Sequence, residues 1–497
     1  MYKFTYPAEL WDERKINKTL VRRLIDKHYS IQNPKKRNYQ YYIGKHIILD
    51  RTRDGDAPNN KVVCNHAKDI SDTASGYFMG SPITYSAGPD QNLDPLLIAF
   101  DAAGVDDVDA DNALDLSIYG LTHEYVYADE EGNPVSRNLS PINTFIVHDD
   151  SIEENELFGV YYWAEKDDVN DRLFFVATVV TENLKYEFYL ESKPEYSRGQ
   201  VKNLNVEDPL VYADEVPTEH YFGGIPIIEY LNNKEAIGDF EMQIPLIDAY
   251  NTLMSDRVND KDQFIDSILA LYGAIMGDDT KETQEALKKL REEKLLELPI
   301  DAKAEYLNRQ MDEGGAETLR KAIKEDIYTF SHVPNLTDAN FAGQASGVAL
   351  EYKLLGLEML TKTKERHYRQ GLRKRIKLYC NFLGLKQISI DAGEIVPTFT
   401  RALPKNLQEL AGIVSMLQNR VSEKTLLNLL PFVEDPDGEI KAVQDQKEES
   451  VRLQQESFNI RPNTPPDIDD EDETDEEEAV KKTEEKAVIK RREEVKE

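Results

Sequence analysis

Residues 332–383 read HVPNLTDANFAGQASGVALEYKLLGLEMLTKTKERHYRQGLRKRIKLYCNFL and join a polar loop to a long helix. Pro334 lacks a backbone donor, and the Asn, Asp, Gly and Ser residues that follow it favour non-helical geometry. Ser346 has the side chain of an N-cap residue. Apolar residues then recur at the i, i+4, i+7 spacing of one helical face. They are Leu350, Leu354 and Leu357, followed by Leu372, Ile376, Tyr379 and Leu383.

The composition describes a large, acidic chain. At about 150 residues per domain, 497 residues predict about three domains. The net charge of −33 argues against a protein that grips nucleic acid by its phosphates, because tight binding needs clustered Lys and Arg. An acidic chain can still let DNA slide. No apolar run reaches the roughly 18 residues of a membrane span, and the two cysteines, Cys64 and Cys380, give no disulfide framework.

Three separated stretches resemble the portal proteins of tailed phages, in the siphophage type found in phages of Gram-positive bacteria. They are NKVVCNHAKDISDTASGYFMGSPITY (60–85), GIPIIEYLNNKEAIGDFEMQIPLIDAYNTLMSDRVNDKDQFIDSILALY (224–272) and VPNLTDANFAGQASGVALEYKLLGLE (333–358). Each stretch alone is a weak signal, since loop chemistry is generic. The agreement of all three, in the order of the family, makes the resemblance specific.

The resemblance implies an α+β portal fold with an α/β wing, a stem of long helices, a small α/β clip and a helical crown. The implied boundaries are wing 1–237, stem helix 238–269, clip 270–313, returning stem helix 314–333, tunnel loop 334–347, long helix of wing and channel 348–384, crown 385–460 and acidic tail 461–497. Ten of the twelve residues 467–478 are acidic. Such a segment cannot bury enough apolar surface to offset its ordering entropy, so we expect a disordered tail.

The function implied by the resemblance is mechanical. Portal subunits form rings, dodecameric in capsids, that sit at one vertex of the virion and give the double-stranded DNA genome a channel for packaging and ejection. The ring is also a docking platform for terminase and for the head-completion or adaptor protein of the head–tail connector. Scaffold and major capsid protein are further implied partners, with assembly in the host cytoplasm and no membrane or cofactor. Head-to-tail contacts close into such rings when the rotation per subunit permits.

The candidate site residues rest on the same resemblance. We expect the tunnel loop to line the narrowest part of the channel, because it carries one acid and no Lys or Arg and would touch DNA without binding it firmly. Its residues are Asn335, Thr337, Asp338, Asn340, Phe341, Gly343, Gln344, Ser346 and Gly347. We expect the clip to dock partners through Lys288, Lys289 and Arg291. Many of the cations of residues 362–377 are expected to pair with acids of a neighbouring subunit or to lie at the capsid end.

Local patterns predict further elements. Period-two alternation in residues 156–191 predicts a three-stranded meander, and the helical face of residues 246–272 is expected to continue through Ile268 and Tyr272. Helices are expected in residues 1–55, 60–79, 113–119, 280–294, 316–330, 406–417 and 422–430, and strands at 83–85, 123–128, 269–273, 295–300 and 386–390. Asp435–Gly438 is expected to terminate a helix. Residues 35–42 fit a helix start with a buried aromatic face better than a stacking surface for nucleic acid.

No enzyme motif is present. The chain has no G-x-x-x-x-G-K-[ST], H-E-x-x-H or C-x-x-C sequence, which argues against an ATPase, a metalloenzyme or any metal site. Asp107, Asp109 and Asp111 begin like a calcium loop, but Asn112 and Ile118 replace the required Gly and Glu, so we expect a solvated acidic turn. Two alternatives stay open: a metal-dependent nuclease with carboxylate ligands among residues 106–115, and another capsid or scaffold component.

Overall fold

The computed structural model describes residues 3–53, 57–88, 91–167, 172–191, 217–265, 268–272, 303–307, 313–335, 347–401, 407–418, 420–427, 430, 433 and 436–459. The chain divides into two units, Met1–Pro404 and Lys405–Glu497. The helices are α1 Lys18–Ser30, α2 Asn33–Tyr42, α3 His66–Met79, α4 Asp94–Ala102, α5 Val105–Tyr119, α6 Ile244–Ile265, α7 Glu313–Ser331, α8 Gly347–Leu385, α9 Leu407–Leu417, α10 Glu423–Leu427 and α11 Pro436–Asn459. The strands are β1 Phe4–Tyr6, β2 Thr84–Ser86, β3 Leu121–Ala128, β4 Pro134–Leu139, β5 Thr144–Asp149, β6 Glu156–Asp167, β7 Arg172–Val180, β8 Leu184–Glu191, β9 Thr218–Glu219, β10 Ile227–Leu231, β11 Ile268–Tyr272, β12 Lys303–Leu307 and β13 Val396–Thr398. The predicted α+β class is confirmed.

The larger sheet has the strand order β1-β5-β6-β7-β8-β9. The predicted meander is confirmed as β6, β7 and β8, which pair antiparallel. Helix α1 packs on this sheet through Val21, Leu24 and Ile25, which share a core with the strands. Residues 1–55 are not all helical as predicted, because Phe4–Tyr6 pairs in parallel with β5. That partner lies 143 residues further along, so local pattern does not reveal it.

A second sheet, β10-β3-β4, packs against α5 and the middle of α8. Helix α5 ends at Gly120, whose φ of +81° is the left-handed conformation that glycine adopts without strain. A Cβ at this position would lie 2.2 Å from the carbonyl oxygen of Ala236, so the close approach also requires glycine. The predicted strand 123–128 is confirmed within β3, and β2 lies one residue beyond the predicted 83–85.

The prediction of an acidic turn at residues 107–111 is wrong. Asp107, Asp109 and Asp111 all lie in α5, and Asp109 is 2% exposed. The cause is a buried cation on α8, described below, that holds the carboxylate inside the core.

Helices α6 and α7 form an antiparallel pair. Strand β11, which follows α6, pairs with β12, which precedes α7. Ile268 and Tyr272 lie in β11 and do not extend the helical face as predicted, whereas the strand predicted at residues 269–273 is confirmed. Gly314 and Gly315 lie within the first turn of α7, which begins before the predicted residue 316. Helix α3 begins at His66, six residues later than predicted, because residues 60–64 are extended against α6.

Two further predictions near the C-terminal part are wrong. Residues 386–390 form no strand; the chain there leaves α8 in a turn. Pro436 is the first residue of α11, so residues 436–438 begin a helix, as expected for a proline whose missing N–H would be unsatisfied there anyway. In the unit 405–497, α9 and α10 confirm the predicted helices with shorter bounds.

Candidate functional site

The helix pair α6–α7 is held at one end by ion pairs. Arg257 donates to Glu313 at 2.7 Å and to Glu317 at 3.0 Å. Arg320 donates to Glu317 at 2.6 Å and to the Tyr250 hydroxyl at 3.0 Å. Bonds from Arg320 and Arg257 lower the pKa of Glu317 to about 2. The order of these contacts, 257 with 313–317 and 250 with 320, shows that the two helices run in opposite directions.

The other end of the pair meets α3 through a polar contact inside an apolar cluster. The His66 ring stands edge-on to Tyr250 at 4.7 Å, and its Nδ1 lies 3.1 Å from the Tyr328 hydroxyl. That hydroxyl donates to Asp69 at 2.6 Å. Burial lowers the pKa of His66 to about 4, so the imidazole is neutral at pH 7.

An amide ladder joins α6 to the extended segment 60–64. Asn251, Ser255 and Asn259 lie one turn apart on α6 and are fully buried. Their side-chain oxygens accept from the backbone amides of Cys64 at 2.8 Å, Val62 at 3.0 Å and Asn60 at 2.6 Å. Four residues along a helix rise about 6 Å, close to the roughly 6.6 Å between alternate residues of an extended chain. Sequence reasoning missed this ladder, although the spacing of Asn251, Ser255 and Asn259 is a readable signal.

A buried charge network holds the middle of α8. It consists of Arg375, Asp109, Glu124, Tyr230 and Tyr368. The Arg375 guanidinium donates to Asp109 at 2.6 and 3.0 Å and to Glu124 at 2.6 and 2.9 Å. Tyr368 donates to Asp109 at 2.5 Å and Tyr230 to Glu124 at 2.6 Å. Burial raises the pKa of Asp109 and the bonded guanidinium opposes that rise.

Other cations of α8 also pair within the chain. Lys364 bonds the buried Asp239, and Lys374 bonds Glu156. In the first half of α8, Glu358 and Glu365 accept from Arg401, which follows the helix, at 2.8 Å and 3.1 Å. Lys364, Lys374 and Arg375 therefore pair with acids of the same chain and are not among the cations expected to pair with a neighbouring subunit.

The basic and aromatic residues of α2 serve the fold. The Lys35 ammonium donates to the carbonyl oxygen of Tyr119 at 2.7 Å, and the buried Tyr41 donates to Asp248 at 2.7 Å. Pro34 lies in the first turn of α2. The prediction of a helix start is confirmed, but the aromatic face is only partly buried, since Tyr39 is exposed.

The chain is well packed on the N-terminal side of the predicted tunnel loop. Val333, just after α7, is 1% exposed, and Asn335 is half-buried. Gly347 is the first residue of α8. Nine residues further along the helix, a Cβ on Gly356 would lie 3.5 Å from the Cβ of His332. Thr337, Asp338, Asn340, Phe341, Gly343, Gln344 and Ser346 lie outside the described residues, as do Lys288, Lys289 and Arg291 of the predicted clip, its helix 280–294, its strand 295–300 and the acidic tail.

Metal chemistry finds no support in the part of the chain that the structure describes. No group of three His, Cys, Asp or Glu side chains there could hold a metal ion. Among residues 106–115, Asp109 is engaged by Arg375, and Asp115 accepts from Asn138 at 3.1 Å. No described helix is long and apolar enough to cross a membrane.

Comparison with known proteins identifies the family. The family described as "Phage portal protein, SPP1 Gp6-like" matches residues 23–453. The chain is 23% identical to the portal protein of Bacillus phage SPP1 over 464 residues, covering 88% of each chain. It is 26% identical over 258 residues to the portal protein of Clostridium phage phiCD119, covering 50% of this chain and 54% of that protein.

Among solved structures, the virion of a native gene transfer agent particle contains a similar chain with a TM-score of 0.41 and 10% identity, covering 73% of this chain and 89% of that one. At that TM-score the likeness carries no further inference. The family match extends over most of the chain and confirms the resemblance predicted from its three stretches. The chain belongs to the SPP1-type family of phage portal proteins, structural components of the phage particle that form oligomeric rings at a capsid vertex and provide the channel for genome packaging.

Proposed function

We propose that this chain forms a twelve-membered ring through which double-stranded DNA passes inward during packaging and outward during ejection. Terminase docks on the ring during packaging, and the head-completion or adaptor protein docks there afterwards. Scaffold and major capsid protein surround it while the particle assembles in the host cytoplasm. The chain does no catalysis in this scheme, since its part is to hold a channel open and to offer surfaces to the motor and the tail.

The observation that carries this proposal is the strong anchoring on both sides of the predicted tunnel loop. Before the loop, the Tyr328 hydroxyl on α7 donates to Asp69 at 2.6 Å, and Val333 is buried. After the loop, Glu358 in the first half of α8 accepts from Arg401 at 2.8 Å. A segment with one acid and no Lys or Arg between two such supports can meet a passing duplex without binding it firmly.

The domain assignment belongs to the same proposal. Helices α6 and α7 are the stem within 238–269 and 314–333, and the sheets with α1–α5 are the wing within 1–237. Residues 270–313 are the clip, 334–347 the tunnel loop and 348–384 the long helix. Residues 385–460 are the crown, and 461–497 are the acidic tail.

Asp338→Lys tests the tunnel loop. A ring of cations at the constriction would add phosphate contacts that hold the duplex. We expect mutant rings of normal shape that package shorter DNA in a reconstituted motor, with the defect easing as salt rises. Asp338→Asn is the control, since it removes the acid without adding a cation. Normal packaging by Asp338→Lys rings at every salt concentration would show that this loop does not meet the DNA.

Charge reversal tests the clip. The triple variant Lys288→Glu, Lys289→Glu, Arg291→Glu should assemble rings but bind terminase and adaptor more weakly, because rim charges govern encounter and register. Binding is measured by sedimentation of purified rings with each partner. Lys234→Glu, an exposed lysine outside the clip, is the control. Loss of ring assembly with intact docking would refute the assignment of residues 270–313.

A further inference from the structure

Four cations on α8 take no part in the ion pairs described above, and they form a stripe along the helix. The cation stripe is Arg366, Arg369, Arg373 and Lys377. Arg366, Arg373 and Lys377 are exposed, and none of the four forms an ion pair with any described residue. Arg369 is half-buried with its guanidinium 5.5 Å from the Phe399 ring centre. In a chain of net charge −33, such a run of cations without acids points to a partner outside the subunit.

The stripe borders a groove that contains no acid. A cavity of about 410 Å³ is lined by Arg369, Arg373 and Lys377 on one side and by residues of the 392–397 segment on the other. The second wall consists of Ala392, Gly393, Ile395, Val396 and Pro397. Carboxylates entering this groove would meet cations on one wall and no competing negative charge from its lining.

An acid patch lies on the α4–α5 corner. It comprises Asp101, Asp106, Asp107 and Asp111, all exposed, and none of them forms an ion pair with a described residue. The pKa of Asp106 is raised by partial burial and by the neighbouring Asp101 and Asp107, with Arg375 opposing the rise. The patch is therefore a region of crowded negative charge.

Arg373 and Lys377 of the cation stripe face away from Asp107 and Asp111 of the acid patch. Arg373 and Lys377 each lie two positions from Arg375, which places them roughly 160° around the helix from the side that contacts Asp109. Asp107 and Asp111 each lie two positions from Asp109 and are turned roughly 160° away from Arg375 in the same manner. The Arg375–Asp109 pair thus sits between an outward cation face and an outward acid face. Within one chain these faces cannot meet.

We propose that the cation stripe of one subunit contacts the acid patch of the next subunit in the ring. A head-to-tail contact joins surfaces on opposite sides of two neighbouring subunits. In a closed ring, every subunit makes this contact on both sides. The spacing also matches, because Arg373 and Lys377 lie about 6 Å apart along α8 and Asp107 and Asp111 lie about 6 Å apart along α5. The contact offsets the repulsion between strongly acidic subunits. This inference depends on the ring formation of the family and does not depend on the passage of DNA through the ring.

Charge reversal and charge exchange test this contact. The variants are R373E/K377E, D107K/D111K and the chain that carries all four changes. We expect each double variant to raise the subunit concentration for half-maximal ring formation by about tenfold or more, because like charges then face each other. The fourfold variant restores opposite charges and should return to within about threefold of the wild type. Ring formation is measured by sedimentation velocity, with circular dichroism to verify folding.

K45E/K234E is the matched control. It makes the same charge change at two exposed lysines outside the stripe, and it should assemble like the wild type. Wild-type assembly by both double variants, or failure of the fourfold variant to recover, would overturn the contact. Normal rings of R373E/K377E that bind less duplex DNA in a gel shift would assign the stripe to DNA and overturn it as well. Rings that assemble as expected but do not package DNA would count against the channel proposal instead.

Discussion

At the scale of single residues, Arg375 joins three elements. Its guanidinium lies between Asp109 of α5 and Glu124 of β3, and all three side chains are at most 2% exposed. A buried pair gives little net stability compared with an apolar replacement, but loss of one partner leaves uncompensated charge in the core. The network therefore fixes how α8 packs on the wing elements and makes that packing sensitive to a single substitution.

Arg375→Ala should lower the free energy of unfolding by about 3–5 kcal/mol, because it leaves Asp109 and Glu124 buried without their cation. Urea unfolding at fixed protein concentration measures the change. Arg137→Ala, at an exposed position on β4, should change it by less than about 0.5 kcal/mol. Equal effects of the two substitutions would show that the guanidinium does not hold the core.

The sequence could not predict this network. Asp107, Asp109 and Asp111 look alike in the chain, and only Asp109 is buried. What separates them is a cation 266 residues away, whose neighbours Arg373 and Lys374 look equally available by local pattern. Whether a charged side chain is buried depends on the partner that the tertiary fold places beside it. Local spacing does not contain this information, so it predicted a solvated turn.

At the scale of elements, the long helix shows what periodicity can predict. Leu354, Leu357, Leu372 and Ile376 predicted one buried face, and all four are buried in α8. Its bounds, Gly347–Leu385, differ from the predicted 348–384 by one residue at each end. The amide ladder on α6 escaped prediction because its buried face is polar, and a search for apolar repeats does not detect Asn251, Ser255 and Asn259.

Two glycines of α8 test the packing of this helix. A Cβ on Gly371 would lie 2.4 Å from two ring atoms of Tyr230, whose ring is also stacked on Tyr368 at 4.4 Å. Because the ring has no space to move, Gly371→Ala should destabilise the fold by about 1–3 kcal/mol. Gly384→Ala, with open space around its Cβ, should be neutral or stabilising by up to about 1 kcal/mol. Thermal unfolding compares them, and stabilisation by both would contradict the close contact.

At the scale of the whole molecule, the family defines a ring, and the described elements explain how one subunit can bear load in it. The ion pairs and amide ladder hold α6 and α7, while the charge network holds α8 against the sheet β10-β3-β4. Closer to residues 336–346, Tyr328 of α7 donates to Asp69 of α3, and Glu358 of α8 accepts from Arg401. A duplex that pushes on that loop would transfer force to fixed helices, which suits a channel wall better than a mobile surface.

A single-particle reconstruction of the assembled ring tests this account most directly. We predict a closed ring with an open central channel, and residues 336–346 of every subunit at its narrowest point. The same map should place α6 and α7 along the channel below the loop. A ring whose narrowest point is formed by other residues, with 336–346 on its outer surface, would contradict the account.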